Sequence, residues 1–284
     1  MHRIVAAALS LIAVLVVISA TRPTPTSPTA AGHDKVLTAF VAANATDAFN
    51  HVIDRFQGEH PGTTVRPSYA GTQILYTQMQ QGAAVDLFLS ADENHARQAV
   101  DSGLIPRYYP VSRNTEVIVV PRSNPAAITS LGDLATRPVK LIIGVPDVPI
   151  GIYTRKIFTS ADAIYGPGFS ARALSQVVST ETDVKQVLNK VGLNEADAGV
   201  VYRTDVTPQV AAKVQVIEIP PALQIVATNY VGVPTQAPHP AIAQQLLDYL
   251  LSPPGQDIFT QLGYLPLTPD GTGAAPSPNP TPGR

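Results

Sequence analysis

Four stretches of this 284-residue chain bring small amide, hydroxyl or backbone-exposing residues to the start of an expected helix. Asn44 follows the strand-like run at residues 36–41, and Asp47 stands three residues on, at capping-box spacing. Thr72 follows Tyr69-Ala70-Gly71, and Pro149-Ile150-Gly151 follows the apolar run at 140–144. Thr180 and Asp183, again at capping-box spacing, precede Val184. The chemistry such turns offer is anion capture. The first N–H groups of a helix lack intrahelical acceptors and lie at the positive end of its dipole, so they can donate to an oxyanion. One such turn says little, because most helix starts only cap themselves; four in one chain form a set.

Other chemistries find little support. The absence of cysteine excludes disulfides, thiolate metal sites and cysteine nucleophiles. His33, His51, His60, His95 and His239 are scattered among polar segments with no metal-ligand spacing, and are expected on the solvated surface. There is no G-x-S-x-G elbow and no P-loop. Asp86, Asp92 and Asp205 lie near expected strand ends and suit acid–base or metal work by type. A carboxylate facing an anion repels it, so capping or hydrogen bonding between lobes is the expected role. A net charge of −2 with no basic run argues against nucleic acid as a partner.

The elements that must position these turns follow from periodicity. Residues 1–20 read as a signal peptide or N-terminal anchor, 21–34 as a disordered linker and 268–284 as a disordered Pro-rich tail. Between them, with 45% hydrophobic residues in the chain, strands alternate with helices. Ala48, Phe49, Val52, Ile53 and Phe56 form the buried stripe of the first helix. Helices follow at 73–81 and 93–101 and strands at 64–69, 85–90, 116–120 and 140–144. A helix near Gly151, another at 183–191, strands at 199–202, 214–219 and 225–233, and helices at 240–251 and 257–262 complete the order. The class is α/β, with two runs of βα units. Lobe 1 is expected over 35–116 plus 229–267 and lobe 2 over 117–228. In open α/β sheets ligands sit beyond the carboxyl ends of the strands, so facing lobes would aim several helix starts into one cleft.

Five motifs in order carry a family resemblance: Ala42-Ala-Asn-Ala-Thr-Asp-Ala-Phe49, Tyr69-Ala-Gly-Thr72, Gln81-Gly-Ala-Ala-Val-Asp-Leu-Phe-Leu-Ser-Ala-Asp92, Val148-Pro-Ile-Gly-Ile-Tyr153 and Gly199-Val-Val-Tyr-Arg-Thr-Asp205. Together they resemble the molybdate-binding proteins of ABC importers, over about residues 35–267. The resemblance implies a type II periplasmic-binding-protein fold, each lobe a mixed, mostly parallel sheet flanked by helices. It implies an exported monomer, periplasmic or on the outer face of the cytoplasmic membrane, that is not an enzyme. No cofactor is implied. Molybdate, or tungstate, would be the transported ligand and a membrane permease the partner, with no protein atom bonded to the metal.

The ligand contacts implied by the resemblance fall on Asn44, Thr72, Ile150, Val184 and Tyr202. Asn44 stands where serine is usual, and Thr72 replaces a serine and keeps its hydroxyl. Ile150 replaces a small residue whose backbone N–H binds oxygen, and its bulk is expected to bear on the cleft. Val184 is a backbone donor and Tyr202 a phenol donor. Alternatives stay open. Sulfate, phosphate or a carboxylate would change the cargo, with Arg203 favouring the last two. An enzyme using Asp92 or Asp205 as base, or a ligand sensor, would change the class.

Overall fold

A computed structural model describes residues 35–267, so the expected export segment, linker and tail lie outside the described residues. The chain opens with β1 (Lys35–Ala42), α1 (Thr46–Glu59), β2 (Thr63–Ala70), α2 (Thr72–Gln80), β3 (Leu87–Ser90) and α3 (Glu93–Asp101). Helix α1 buries Ala48, Phe49, Val52, Ile53 and Phe56, the stripe read from its period. Strand β1 lies between β2 and β3, parallel to both. Every residue of β3 is buried, as expected of a strand covered on both faces.

The long β4 (Tyr109–Pro121) serves two sheets. Its residues 109–115 pair antiparallel with β9 (Val226–Gly232), which in turn pairs with β3. Its residues 116–121 pair antiparallel with β7 (Ala198–Tyr202) and β8 (Val214–Glu218). The second sheet continues through β5 (Leu141–Gly144) and β6 (Val177–Glu181), parallel to each other, with β5 also parallel to β7. Around it lie α4 (Asp133–Thr136), α5 (Pro149–Tyr165), α6 (Phe169–Ser175), α7 (Val184–Gly192) and α8 (Pro208–Ala211). The chain returns to the first sheet with α9 (Pro240–Leu251) and α10 (Pro253–Gln261).

Core packing follows the same division. One cluster draws on residues 117–227 alone. Two others use only residues 37–111 and 230–264: α1, α9 and α10 cover one face of the first sheet, α2 and α3 the other. The fold is a mixed α/β architecture of two sheets flanked by helices.

Three local expectations need correcting. Strand β4 begins seven residues before the expected 116, because Ser112 and Asn114 are buried polar residues that broke the apolar pattern. Helix α10 starts at Pro253 rather than 257, with prolines in the first turn where no N–H is needed. Thr180 lies inside β6 and does not cap α7; Asp183 does, its Oδ1 accepting from the Gln186 N–H at 3.0 Å.

Phe56 is fully buried, stacked on His60 at 4.0 Å between centroids and edge-on to Tyr249 at 5.9 Å. Truncating it opens a cavity between α1 and α9. Phe56→Ala is expected to lower the unfolding free energy by about 3–5 kcal/mol. Urea denaturation should show a lower midpoint with an unchanged slope.

Candidate functional site

Asn44, Thr72, Ile150, Val184 and Tyr202 line one small cavity of about 10 Å³, the first two from the first sheet's side and the others from the second's. Three of them sit in helix first turns. Thr72 is the first residue of α2, Ile150 the second of α5 after Pro149, and Val184 the first of α7 after its Asp183 cap. Their backbone N–H groups therefore have no acceptor within their own helix.

Each turn is held by a specific local device. Asn44 is not the cap expected from the sequence. It lies within a 3-10 turn, Ala43–Ala45, ahead of α1, and its side chain makes no cap bond. Instead its Nδ2 donates to Asn229 Oδ1 at 3.0 Å, while its carbonyl accepts from the Tyr264 hydroxyl at 2.6 Å. Thr72 does not cap α2 either. Its Oγ1 accepts from the Ala91 N–H at 3.0 Å, which leaves the hydroxyl proton free to donate.

Ile150 lines the cavity while its side chain joins the second sheet's core, where its Cγ2 packs against Gly144 and a Cβ at Gly144 would meet it at 2.9 Å. Gly151 lets the end of β5 press against α5, since a Cβ there would lie 2.0 Å from the Val145 carbonyl oxygen. Gly71 brings the two sides together. A Cβ there would stand 2.1 Å from the Thr182 carbonyl oxygen, to which Gln73 Nε2 also donates at 2.8 Å.

Tyr202 is buried, and its hydroxyl has no partner among the described residues. Burial first, then the neighbouring Tyr153, Glu116 and Asp92, pushes its pKa well above the ordinary phenol value. It therefore keeps its proton and remains a donor. No Lys, Arg or His side chain lines the cavity among the described residues. Asp183 does line it, but its carboxylate accepts from Gln186, from the backbone N–H and from Nε2.

The charged groups nearby are neutralised or engaged elsewhere. Lys185, next to Val184, bridges Asp47 at 3.0 Å and the buried Asp205 at 3.1 Å. Burial works to lower the Lys185 pKa, but Asp205 and Asp47 outweigh it and raise it, so the ammonium stays charged. Asp205 also accepts from the Tyr202 N–H, Asp86 from the Thr38 and His239 N–H groups, and Asp92 caps α3. These carboxylates hold the fold rather than stand ready as bases. Arg203 pairs with Glu218 on an exposed surface and does not line the cavity. His95, expected in solvent, is buried against Asp92, its Nδ1 lying 2.9 Å from Oδ1.

Glu116 stands opposite Tyr202 in the β4–β7 register and is fully buried. Burial raises its pKa to about 8, against the opposing pull of its own backbone and of Gln224. It is therefore largely neutral at neutral pH and adds little negative potential behind the cavity. The native state holds this proton more tightly than the unfolded chain, whose glutamate titrates near 4.5. Its stabilising contribution is full below that value and is lost as pH rises to about 8. Glu116→Gln has no proton to lose. Its melting temperature minus that of the wild type should climb from about pH 5 to about pH 8 in thermal unfolding series. A constant difference would contradict a buried neutral acid.

A family model described as "Bacterial extracellular solute-binding protein" matches residues 37–265. The molybdate-binding protein ModA of Mycobacterium tuberculosis (strain H37Rv) is 33% identical over 241 residues, covering 84% of this chain and 87% of that protein. Among solved structures, the periplasmic molybdate-binding protein of Azotobacter vinelandii superposes with a TM-score of 0.70 at 20% identity, covering 82% of this chain and all of that one. The sulfate-binding protein SubI of M. tuberculosis H37Rv gives 0.72 at 16% identity, covering 83% and 88%. The last two likenesses concern the fold. The family consists of binding proteins, not enzymes. With the match spanning nearly every described residue, the chain belongs to the bacterial extracellular solute-binding proteins.

Proposed function

We propose that this protein captures molybdate, with tungstate as a near-equivalent ligand, in the cavity between its two sheets and presents it to the membrane permease of an ABC importer. It would act outside the cytoplasmic membrane, in the periplasm or on the membrane's outer face, and as a monomer. The observation that carries the reading is the convergence of Asn44, Thr72, Ile150, Val184 and Tyr202 on one cavity with no cationic side chain in its lining among the described residues. The 33% identity to a molybdate-binding protein supports the choice of cargo.

The physical case rests on protonation. Molybdate, tungstate and sulfate carry no proton at neutral pH, so donors alone can satisfy them. Hydrogenphosphate brings an O–H, and a site without an acceptor leaves that donor unpaired at a cost of about 1–3 kcal/mol. Burying a dianion is expensive, and aligned N–H groups, hydroxyls and helix dipoles must replace its water. Size would then separate molybdate from the smaller sulfate. Capture would follow hinge closure, with the ligand favouring the closed arrangement over an open one. Lobe 1 (35–116 plus 229–267) and lobe 2 (117–228) would move as the two bodies, with β4 running between them.

A thermal-shift panel with molybdate, tungstate, sulfate and phosphate tests the reading, because a ligand that binds only the folded state raises the midpoint. Molybdate and tungstate should raise it and phosphate should not. Tyr202→Phe and Thr72→Ala should each weaken molybdate binding by about tenfold to a hundredfold, the value of a hydrogen bond to a charged partner. The unpartnered phenol makes Tyr202→Phe the cleaner variant, with an unchanged midpoint in buffer. No shift with any of the four anions would defeat the proposal.

A further inference from the structure

A buried chain of polar side chains runs away from the cavity. Asn44 Nδ2 donates to Asn229 Oδ1 at 3.0 Å, and Asn229 Nδ2 donates to Ser112 Oγ at 3.0 Å. The three residues are 4%, 1% and 1% exposed. Ser112 and Asn229 are a cross-strand pair of β4 and β9, placed just after the register irregularity between Pro110 and Ser112. Such an irregularity re-aims side chains. In this arrangement Asn44 Oδ1 is buried without a partner, on a residue that lines the cavity. An unpaired acceptor beside a proposed oxyanion site is wrong in sign, since a carbonyl oxygen repels an anion's oxygens.

Turning both amides by 180° about their terminal torsions, which are roughly two-fold, reverses the chain without moving a backbone atom. The Ser112 hydroxyl then donates to Asn229 Oδ1, and Asn229 Nδ2 donates to Asn44 Oδ1. This pairs the orphaned oxygen and frees Asn44 Nδ2. A serine hydroxyl donates or accepts equally well, so it can end the chain in either direction.

We propose that Ser112 and Asn229 are positioning residues that decide which end of the Asn44 amide meets the ligand. An oxyanion that carries no proton is bound with the chain reversed, so that Asn44 Nδ2 donates to it. The unreversed chain offers an acceptor instead, which suits an anion bearing an O–H. The inference rests on the oxyanion reading of the cavity and deepens it, because it locates discrimination against protonated oxyanions in two residues outside the lining.

Asn229→Asp separates the two directions. A carboxylate at that position accepts from both Asn44 Nδ2 and the Ser112 hydroxyl, so every bond is kept while Asn44 Oδ1 is held toward the cavity. Calorimetric titration of the wild-type and variant proteins with molybdate and with phosphate, both at one mildly alkaline pH that keeps the new buried carboxyl ionised, gives the readout. The added charge repels both dianions alike, so the ratio of the two affinities isolates the amide's direction. That ratio should move toward phosphate by about tenfold or more, as one charge-assisted bond is exchanged for a mismatch. A ratio unchanged within about twofold, on that same scale, overturns the proposal.

Wild-type protein labelled with 15N at asparagine supplies a second measurement that survives a misfolded variant or an unmeasurable phosphate affinity. The side-chain NH2 pair lost in Asn44→Ser should shift and gain protection from exchange when molybdate is added. An Asn44 pair that ignores saturating molybdate rules the reversal out. If the wild-type protein binds neither anion, the cavity reading itself fails and the positioning role falls with it.

Discussion

A doubly charged anion can leave water only if the protein supplies as many aligned donors as the water did. On the proposed reading that requirement falls on backbone N–H groups and hydroxyls, because no cationic side chain lines the cavity among the described residues. Backbone donors are available only where helices begin, and in a βα unit helices begin beyond the carboxyl ends of strands. Two sheets facing each other across one gap are thus the means by which α2, α5 and α7 bring their first turns to the same place. Strand β4, shared between the sheets, sets the gap.

The surroundings keep negative potential low without adding a positive side chain. Lys185 is charged but divided between Asp47 and Asp205, tying the α1 start to the far side of the gap. Glu116, behind Tyr202, is held largely neutral by burial. Gly71 and Gln73 both meet the Thr182 carbonyl, a backbone contact that any larger residue at position 71 would prevent. These features join packing to electrostatics: the contacts that bring the two sides together are also those that occupy the charges near the cavity.

Much of this was legible in the sequence. The α1 stripe, the βα alternation and the four small-residue turns follow from periodicity and helix-start chemistry, and all five expected residues meet in one cavity. Local rules misjudged some roles. Asn44 and Thr72 look like caps, yet their side chains bond to Asn229 and Ala91, distant partners that no local pattern reveals. Ser112 and Asn229 were missed because a polar residue in an apolar strand reads as an interruption. His95 reads as surface in the sequence because its pairing with the capping Asp92 leaves no spacing signal of its own. The fate of the Ile150 side chain depended on Gly144, six residues earlier, and only packing decides such a pair.

The most direct test is diffraction from crystals grown with tungstate, whose metal scatters anomalously. The account predicts one strong peak in the cavity, with tungstate oxygens within hydrogen-bond reach, about 2.7–3.1 Å, of the Tyr202 hydroxyl, the Thr72 hydroxyl and the Ile150 and Val184 N–H groups. A fully occupied tungstate elsewhere on the protein, with this cavity empty, would contradict it.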